Sequence, residues 1–279
     1  MIVFTHPEEW KRLRSELFSD RASVGYVPTM GALHEGHQSL ISRASEENDL
    51  VVVSIYVNPT QFNQASDLSA YPRDLGTDLE IAAAAGCEVV FAPTNESIYG
   101  EEMVSSDTDY GTLTSSLEGA ERPGHFNGVV TIVRKLFNAV KPTQAYFGEK
   151  DFQQLAIIRE MVRRESIDVN IVGCELVRDE DGLALSSRNA RLSNEGKLTA
   201  LFLSKTMREA DEKDRTVPPQ TLAKWAFDQL ENHPGIEPEY VEIVDATTLE
   251  KLNEWGTEEA RILLTAWVDG VRLIDNSAI

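Results

Sequence analysis

The spacing of apolar positions up to residue 177 switches between two periods, and each switch predicts an element boundary. Val24, Tyr26 and Val27 give a β-favouring run over 23–27 that is expected to stop at Pro28, which cannot donate to a ladder. Leu33, His37, Leu40, Ile41 and Ala44 then recur at helical spacing, predicting a helix from Glu35 to about residue 48. Residues 50–57 are a continuous β-rich run, the pattern of a parallel strand buried on both faces. Strand, helix and strand make a βαβ unit. Further helices are expected over 7–18 (Trp10, Leu13 and Leu17 on one side), 74–85 with Gly86 as the stop, 126–140 and 152–164. Strands are expected over 88–91, 144–147 and 169–174, with loops and short turns across the Gly-, Ser- and Thr-rich stretch 92–120.

After residue 178 the pattern changes character. Helices over 194–214 and 218–232 precede a half-buried strand over 240–244. Two more strands, 262–268 and 271–275, are joined by Asp269-Gly270, a hairpin signal. The expected fold class is therefore α/β: a Rossmann-like doubly wound parallel sheet over 1–177, then a smaller α+β region over 178–279. That second region would carry a three-stranded antiparallel sheet and act as a lid.

Composition narrows the function classes. With 42% hydrophobic and 26% charged residues in 279, the chain is an ordinary globular sequence. No run approaches the roughly 18 apolar residues of a membrane span, and the start lacks a basic, apolar leader, so a cytoplasmic protein is expected. Cys87 and Cys174 each sit beside an apolar run and are expected to be reduced, buried and inert. A net charge of −20 opposes nucleic-acid binding. Against that background, residues 121–165 carry eight Lys/Arg and five Asp/Glu, the region where an anionic phosphate tail is expected.

Candidate chemistry gathers at strand ends. Gly31 and Gly36 let the backbone approach a ligand, and His34 and His37, three apart, share one side of a helix start whose amides suit a phosphate. On the residues alone, a structural turn with solvated imidazoles and a two-ligand metal site both remain open, although no neighbouring Cys or acidic cluster completes a zinc spacing. Gln61, in Asn58-Pro59-Thr60-Gln61, offers donor and acceptor together at a strand's carboxyl end. Arg122 and His125 are expected to be exposed at the entry of the 126–140 helix. Lys150, in Gly148-Glu149-Lys150-Asp151, would place a point charge between a strand and a helix, while Asp151 and Gln154 fit a variant capping box. Ser186-Ser187-Arg188-Asn189 reads as a cap or turn that could also donate to β- and γ-phosphates, with Gly182 as a hinge before it.

The run His34-Glu35-Gly36-His37 resembles the His-x-Gly-His signature of the nucleotidylyltransferase superfamily. Pro28 to Leu33, Asn58 to Gln61, Tyr71-Pro72-Arg73, Arg122 to Val129, Gly148 to Asp151 and Ser186 to Asn189 are similar, in that order, to segments of the pantoate–β-alanine ligase family. The resemblance spans 24 to about 193, departs between 64 and 70, and is weak from 194 onward. It implies ATP-dependent condensation of (R)-pantoate with β-alanine through a pantoyl adenylate, with Mg²⁺, in a homodimer. It further implies that Met30, Gly31, Ala32, Leu33, His34, Glu35, Gly36, His37, Gly148, Glu149, Lys150, Asp151, Val177, Leu185, Ser186, Ser187 and Arg188 meet ATP. His34, His37 and Lys150 are implied as catalytic, and Gln61 and Gln154 as pantoate contacts. Asp78 aligns with an acidic cluster used near magnesium, a solvated helix face being the alternative. Another adenylyl- or cytidylyltransferase, a non-catalytic nucleotide-binding module and a zinc hydrolase are the competing readings.

Overall fold

The computed structural model describes residues 1–17, 22–63, 65–257 and 259–279, the side chain of Ser66 excepted. It divides into two compact units, Met1–Glu149 with Gln153–Glu175, and Lys150–Phe152 with Leu176–Ile279.

The first unit runs β1 (Ile2–Phe4), α1 (Pro7–Leu17), β2 (Val24–Thr29), α2 (Glu35–Glu47), β3 (Leu50–Ile55), α3 (Ala65–Ala70), α4 (Leu75–Ala84) and β4 (Val89–Phe91). It continues through α5 (Asn95–Tyr99), α6 (Thr112–Ser115), α7 (Glu118–Glu121), α8 (His125–Val140), β5 (Gln144–Gly148), α9 (Phe152–Glu165) and β6 (Asn170–Cys174). The strands form one sheet in the order β1-β4-β3-β2-β5-β6, with every pair parallel. This is the doubly wound α/β arrangement the periodicity predicted. From β2 the chain steps outward to β3 and β4, then returns to add β5 and β6 on the other side. The winding reverses between β2 and β5, and ligands bind in such sheets beyond the carboxyl ends of the strands at that point.

Burial on both faces explains the continuous apolar strands. Val24, Tyr26, Leu50 and Val52 pack into one cluster with Trp10, Phe137 and Ile158, while Val27, Val51 and Val53 pack into another with Leu40, Ile41 and Ala82. Successive residues of a strand thus enter opposite cores, as a two-residue side-chain period requires.

Three local expectations change. Pro28 lies inside β2, paired with Ser54. β5 pairs only with Gly25 and Tyr26 of this strand, so on that side no ladder needs the proline's missing donor. β1 went unforeseen because three residues hold no period; it is fixed by tertiary contact, with Phe4 stacked 4.4 Å from Phe91. The stretch expected as a departing loop contains α3, with Gln64 outside the described residues. Phe18, at the end of the expected first helix, lies outside them too.

The second unit contains α10 (Asn194–Asp211), α11 (Pro219–Glu231), β7 (Ile236–Asp245), β8 (Ala260–Val268) and β9 (Val271–Ala278), the strands forming an antiparallel sheet β7-β8-β9. Asp269 and Gly270 at its tight turn have φ of +54° and +70°, the pair of left-handed residues a type I′ hairpin needs. Leu203, Met207, Leu222, Leu230, Ile243 and Ile262 fill the core between helices and sheet. The Arg178 guanidinium makes a two-point pair with the buried Asp275 carboxylate at 2.7 and 2.9 Å. Burial pushes the Asp275 carboxyl up, and Arg178 opposes that shift. The turn expected to hinge at Gly182, φ +102°, is tied down by bonds from Leu183 and Asp181 amides to Asp179 and by Arg178 donating to the Gly182 carbonyl.

No helix of the described residues is long and apolar enough to cross a membrane. Cys87 and Cys174 are unbridged and buried, and burial pushes the Cys87 thiol up to about 12.

Candidate active site

The segment after β2 is shaped by side chains that accept its amides. Thr29 Oγ1 donates to the Ser54 carbonyl at 2.7 Å and accepts from the Gly31 amide at 3.1 Å. Gly31 and Ala32 adopt left-handed φ of +80° and +51°. The next two amides, Ala32 and Leu33, donate to Oδ2 and Oδ1 of Asp78 at 3.0 and 2.7 Å. Asp78, in the first turn of α4, is only 3% exposed. It is therefore no solvated helix face. It also fits magnesium poorly: each of its oxygens already accepts from an amide beneath the turn, and a carboxylate only 3% exposed leaves little room for the waters that magnesium keeps. Among the described residues no group of three or more His, Cys, Asp or Glu is arranged to hold a metal ion. Ala32 and Leu33, which the resemblance implies as ATP contacts, have their amides bonded to Asp78.

The histidines cap α2 on each other. His34 Nδ1 accepts from the Gly36 amide at 3.2 Å, and His37 Nδ1 takes a longer bond of 3.4 Å from the His34 amide. An amide only donates, so both Nδ1 atoms carry lone pairs and both protons sit on Nε2. The rings lie 4.2 Å apart and half-buried. The pair thus presents two Nε2–H donors at a helix N-terminus, an arrangement suited to phosphate oxygens.

At the end of β3 the chain makes a 3₁₀ turn, Pro59–Gln61, built on Asn58. Asn58 is 1% exposed; its Nδ2 donates to the Gly128 carbonyl at 3.1 Å and to Gln61 Oε1 at 3.3 Å, while its Oδ1 accepts from the Tyr99 hydroxyl. Gln61 Nε2 in turn reaches the Met30 sulfur at 2.8 Å. Gly128 lets α8 lie directly on this turn, since a Cβ there would fall 2.5 Å from the Thr60 carbonyl oxygen.

His125, expected to be exposed, is buried, and Arg122 is half-buried. His125 Nδ1 donates to the Gln61 carbonyl at 2.8 Å, and Arg122 Nη1 stands 3.1 Å from Nε2. A carbonyl only accepts and a guanidinium only donates, so this imidazole is neutral with its proton on Nδ1. The first turn of α8 thereby holds Gln61 by its main chain.

On the far side of the switch, β5 ends in Gly148 and Glu149 follows it. Gln153 is buried, its amide bonded to Leu113, Ser116 and Glu118 of the α6–α7 corner. Gln154 is half-buried, and among the described residues its side chain makes no hydrogen bond. Asp151 does not cap α9: residues 149–151 form a 3₁₀ turn that runs straight into the helix, and its carboxylate lies 3.8 Å from Lys150 Nζ.

In the second unit, the Lys150 carbonyl accepts from Asn276 Nδ2 at 2.9 Å, which fixes the lysine's main chain to β9. The Leu185 amide bonds the Val177 carbonyl at 3.0 Å. Ser186 caps the 3₁₀ helix Ser187–Arg191, its Oγ accepting from the Arg188 amide at 3.2 Å with its proton left to donate.

The first unit therefore brings Met30, His34, His37, Gln61 and Asp78 together at the ends of β2 and β3, while Lys150, Val177, Leu185, Ser186, Ser187 and Arg188 belong to the second. Sequence reasoning passed over Asn58 and Gly128 as components, although both stood in quoted motifs, and it misjudged His125. Nothing local signals that Asp78 meets a turn 46 residues away.

Residues 2–278 match the model of a family described as Pantoate-beta-alanine ligase. A pantothenate synthetase of Bacteroides fragilis is 50% identical over 270 residues, 95% of each chain. The crystal structure of pantothenate synthetase from Thermus thermophilus superposes with a TM-score of 0.90 at 41% identity over 99% of both chains. A pantoate-beta-alanine ligase from Francisella tularensis, solved in complex with beta-gamma ATP and beta-alanine, gives 0.83 at 36% identity, covering 100% of this chain and 97% of that one.

Proposed function

Because the chain belongs to the pantoate–β-alanine ligase family, we infer that it joins (R)-pantoate to β-alanine with cleavage of ATP to AMP and pyrophosphate, and that its residues divide the work as follows. A carboxylate does not acylate an amine at neutral pH because its oxygen is a poor leaving group. In the first step a pantoate carboxylate oxygen attacks the α-phosphorus, the bond to the bridging oxygen breaks, and pyrophosphate leaves. In the second the β-alanine amine attacks the acyl carbon, the bond to the adenylate oxygen breaks, and AMP leaves as the nitrogen gives up a proton.

The observation that carries the reading is the reciprocal histidine cap, which puts both ring protons on Nε2 at the N-terminus of α2. His34 and His37 donate to phosphate oxygens, and Lys150, Ser186, Ser187 and Arg188 supply further donors and charge for the β- and γ-phosphates. Met30, Glu35, Gly36, Gly148, Glu149, Val177 and Leu185 shape the nucleotide's surroundings. Gln61 and Gln154 orient pantoate. Gln61's amide is held by Met30 and Asn58 until substrate replaces the sulfur contact, and Gln154 is the glutamine of its pair not committed to packing. Catalysis is then positioning and charge stabilisation, with no covalent enzyme intermediate. Magnesium belongs with the ATP phosphates rather than in a protein-built cage. Residues 178–279 act as the lid, the chain works as a homodimer, and its unbridged cysteines suit the cytoplasm.

The test is ATP–pyrophosphate exchange by the purified protein with Mg²⁺ and pantoate, β-alanine being left out. Exchange that requires pantoate is the expected result. Absence of exchange in folded, ATP-binding protein would sink the adenylate, and exchange with a different acid would reassign the substrate.

A further inference from the structure

Ala32 is a non-glycine residue held at φ +51°, a backbone state that L-residues disfavour. What holds it there is visible. The amides of Gly31, Ala32 and Leu33 go in order to Thr29 Oγ1, Asp78 Oδ2 and Asp78 Oδ1, and the amides of His34 and Gly36 go to the two imidazoles. Five amides on the approach to α2 are thus satisfied by side chains before any ligand arrives. It is not an open nest of amides, so anion recognition falls to the imidazole Nε2–H groups, whose place depends on the turn beneath them.

We propose that Asp78 is the positioning residue of the histidine pair, and that it serves this role instead of ligating magnesium. Its carboxylate closes against Gly31 so tightly that a Cβ on that residue would fall 2.7 Å from Oδ2. The carboxylate is in turn held by α4, whose N-cap Asp74 accepts from Thr77 at 3.1 Å. A carboxylate matches two successive amides with two acceptors; an asparagine would turn one acceptor into a donor facing an amide, and the turn would relax. The proposal rests on the reading above that His34 and His37 meet phosphate.

The test compares Asp78→Asn with wild type by three readouts: the NMR signals of the His34 and His37 rings in ligand-free protein, ATP affinity with Mg²⁺ and with EDTA, and the Mg²⁺ concentration for half-maximal exchange. We expect displaced ring signals and ATP binding weakened at least about tenfold, alike with and without Mg²⁺. The Mg²⁺ midpoint should stay within about twofold, whereas even the loss of a group that merely orients a metal ligand costs about 10- to 100-fold in metal affinity. A loss confined to Mg²⁺-containing samples, or reversed by excess Mg²⁺ with the ring signals in place, would make Asp78 a metal ligand and overturn the proposal. Unchanged ring signals and affinity would overturn it as well. Gly31→Ala presses on the same oxygen with the carboxylate retained, and it must give the same signature, deciding the matter alone if Asp78→Asn does not fold. His37→Ala separates the two readings: wild-type ATP affinity there would refute the phosphate role, while displaced ring signals in Asp78→Asn would still record the clamp.

Discussion

The two units differ in how far the chain must travel to make a contact. In the second, β7, β8 and β9 pair in sequence order, and the turn at Asp269-Gly270 brings adjacent strands together. In the first, β2 sits between β3 and β5, with a span from Ile55 to Gln144 intervening before the second neighbour is added. Local pairing makes a stable scaffold from short-range signals. Crossover winding, by contrast, delivers loops from separate parts of the chain to the carboxyl ends of the strands, which is how Gln61 reaches Met30 and Asp78 reaches the Ala32 and Leu33 amides.

The sharpest way to break this contrast is to ask whether chemistry stays in the crossover unit. His37→Ala in the first unit and Lys150→Ala in the second should each lower ATP–pyrophosphate exchange by about 10²- to 10³-fold, with the melting temperature unchanged in Lys150→Ala and lowered by a few degrees in His37→Ala, which loses half of the α2 cap. Wild-type exchange in Lys150→Ala would confine the chemistry to the first unit. Next comes the long-range support. His125→Ala leaves the Gln61 carbonyl with only the long 3.5 Å bond from Arg122 Nη2 and should cost about 1–3 kcal/mol in urea unfolding. It should also raise the KM for pantoate and leave that for ATP unchanged; equal rises in both would mean that His125 supports more than Gln61.

A smaller effect is expected in the local unit. A Cβ at Gly270 meets nothing within 4 Å, so Gly270→Ala should cost only the strain of its left-handed backbone, about 1 kcal/mol, with exchange unaffected. The smallest effect is on acid stability. Glu160 is held down to about 2 by Arg163 and Arg164, and Glu165 is lowered by Arg134. A carboxyl lowered by folding contributes stability above its ordinary value and loses it as pH falls toward the folded value. Thermal melts should therefore decline between about pH 4.5 and 2, less steeply in high salt because these pairs are exposed and screened. A flat profile across that range would remove the pairs from the stability account.

Where the sequence was legible, the signal was local. The apolar helix face of α2, the double-sided burial of β3, the amphipathic stripe of α8 and the type I′ hairpin each follow from residues a few positions apart. Motif order along the chain also carried the family, whose model spans residues 2–278. Where it failed, the deciding partner lay far away. His125 looked exposed because a helix entry usually is, yet it is buried against Gln61, 64 residues earlier. Gln153 and Gln154 are indistinguishable by type, and only the α6–α7 corner commits the first to packing.

By itself, then, the sequence determined the longer strands and helices, though not β1 or α3, together with the family they compose and the residue types at the strand ends, because periodicity and turn chemistry act within a few residues. Only the tertiary structure decided what those residues face. Whether a carboxylate is solvated, holds a metal or clamps a turn depends on which donors surround it, and for Asp78 those donors are two amides brought in by packing from 45 and 46 residues away.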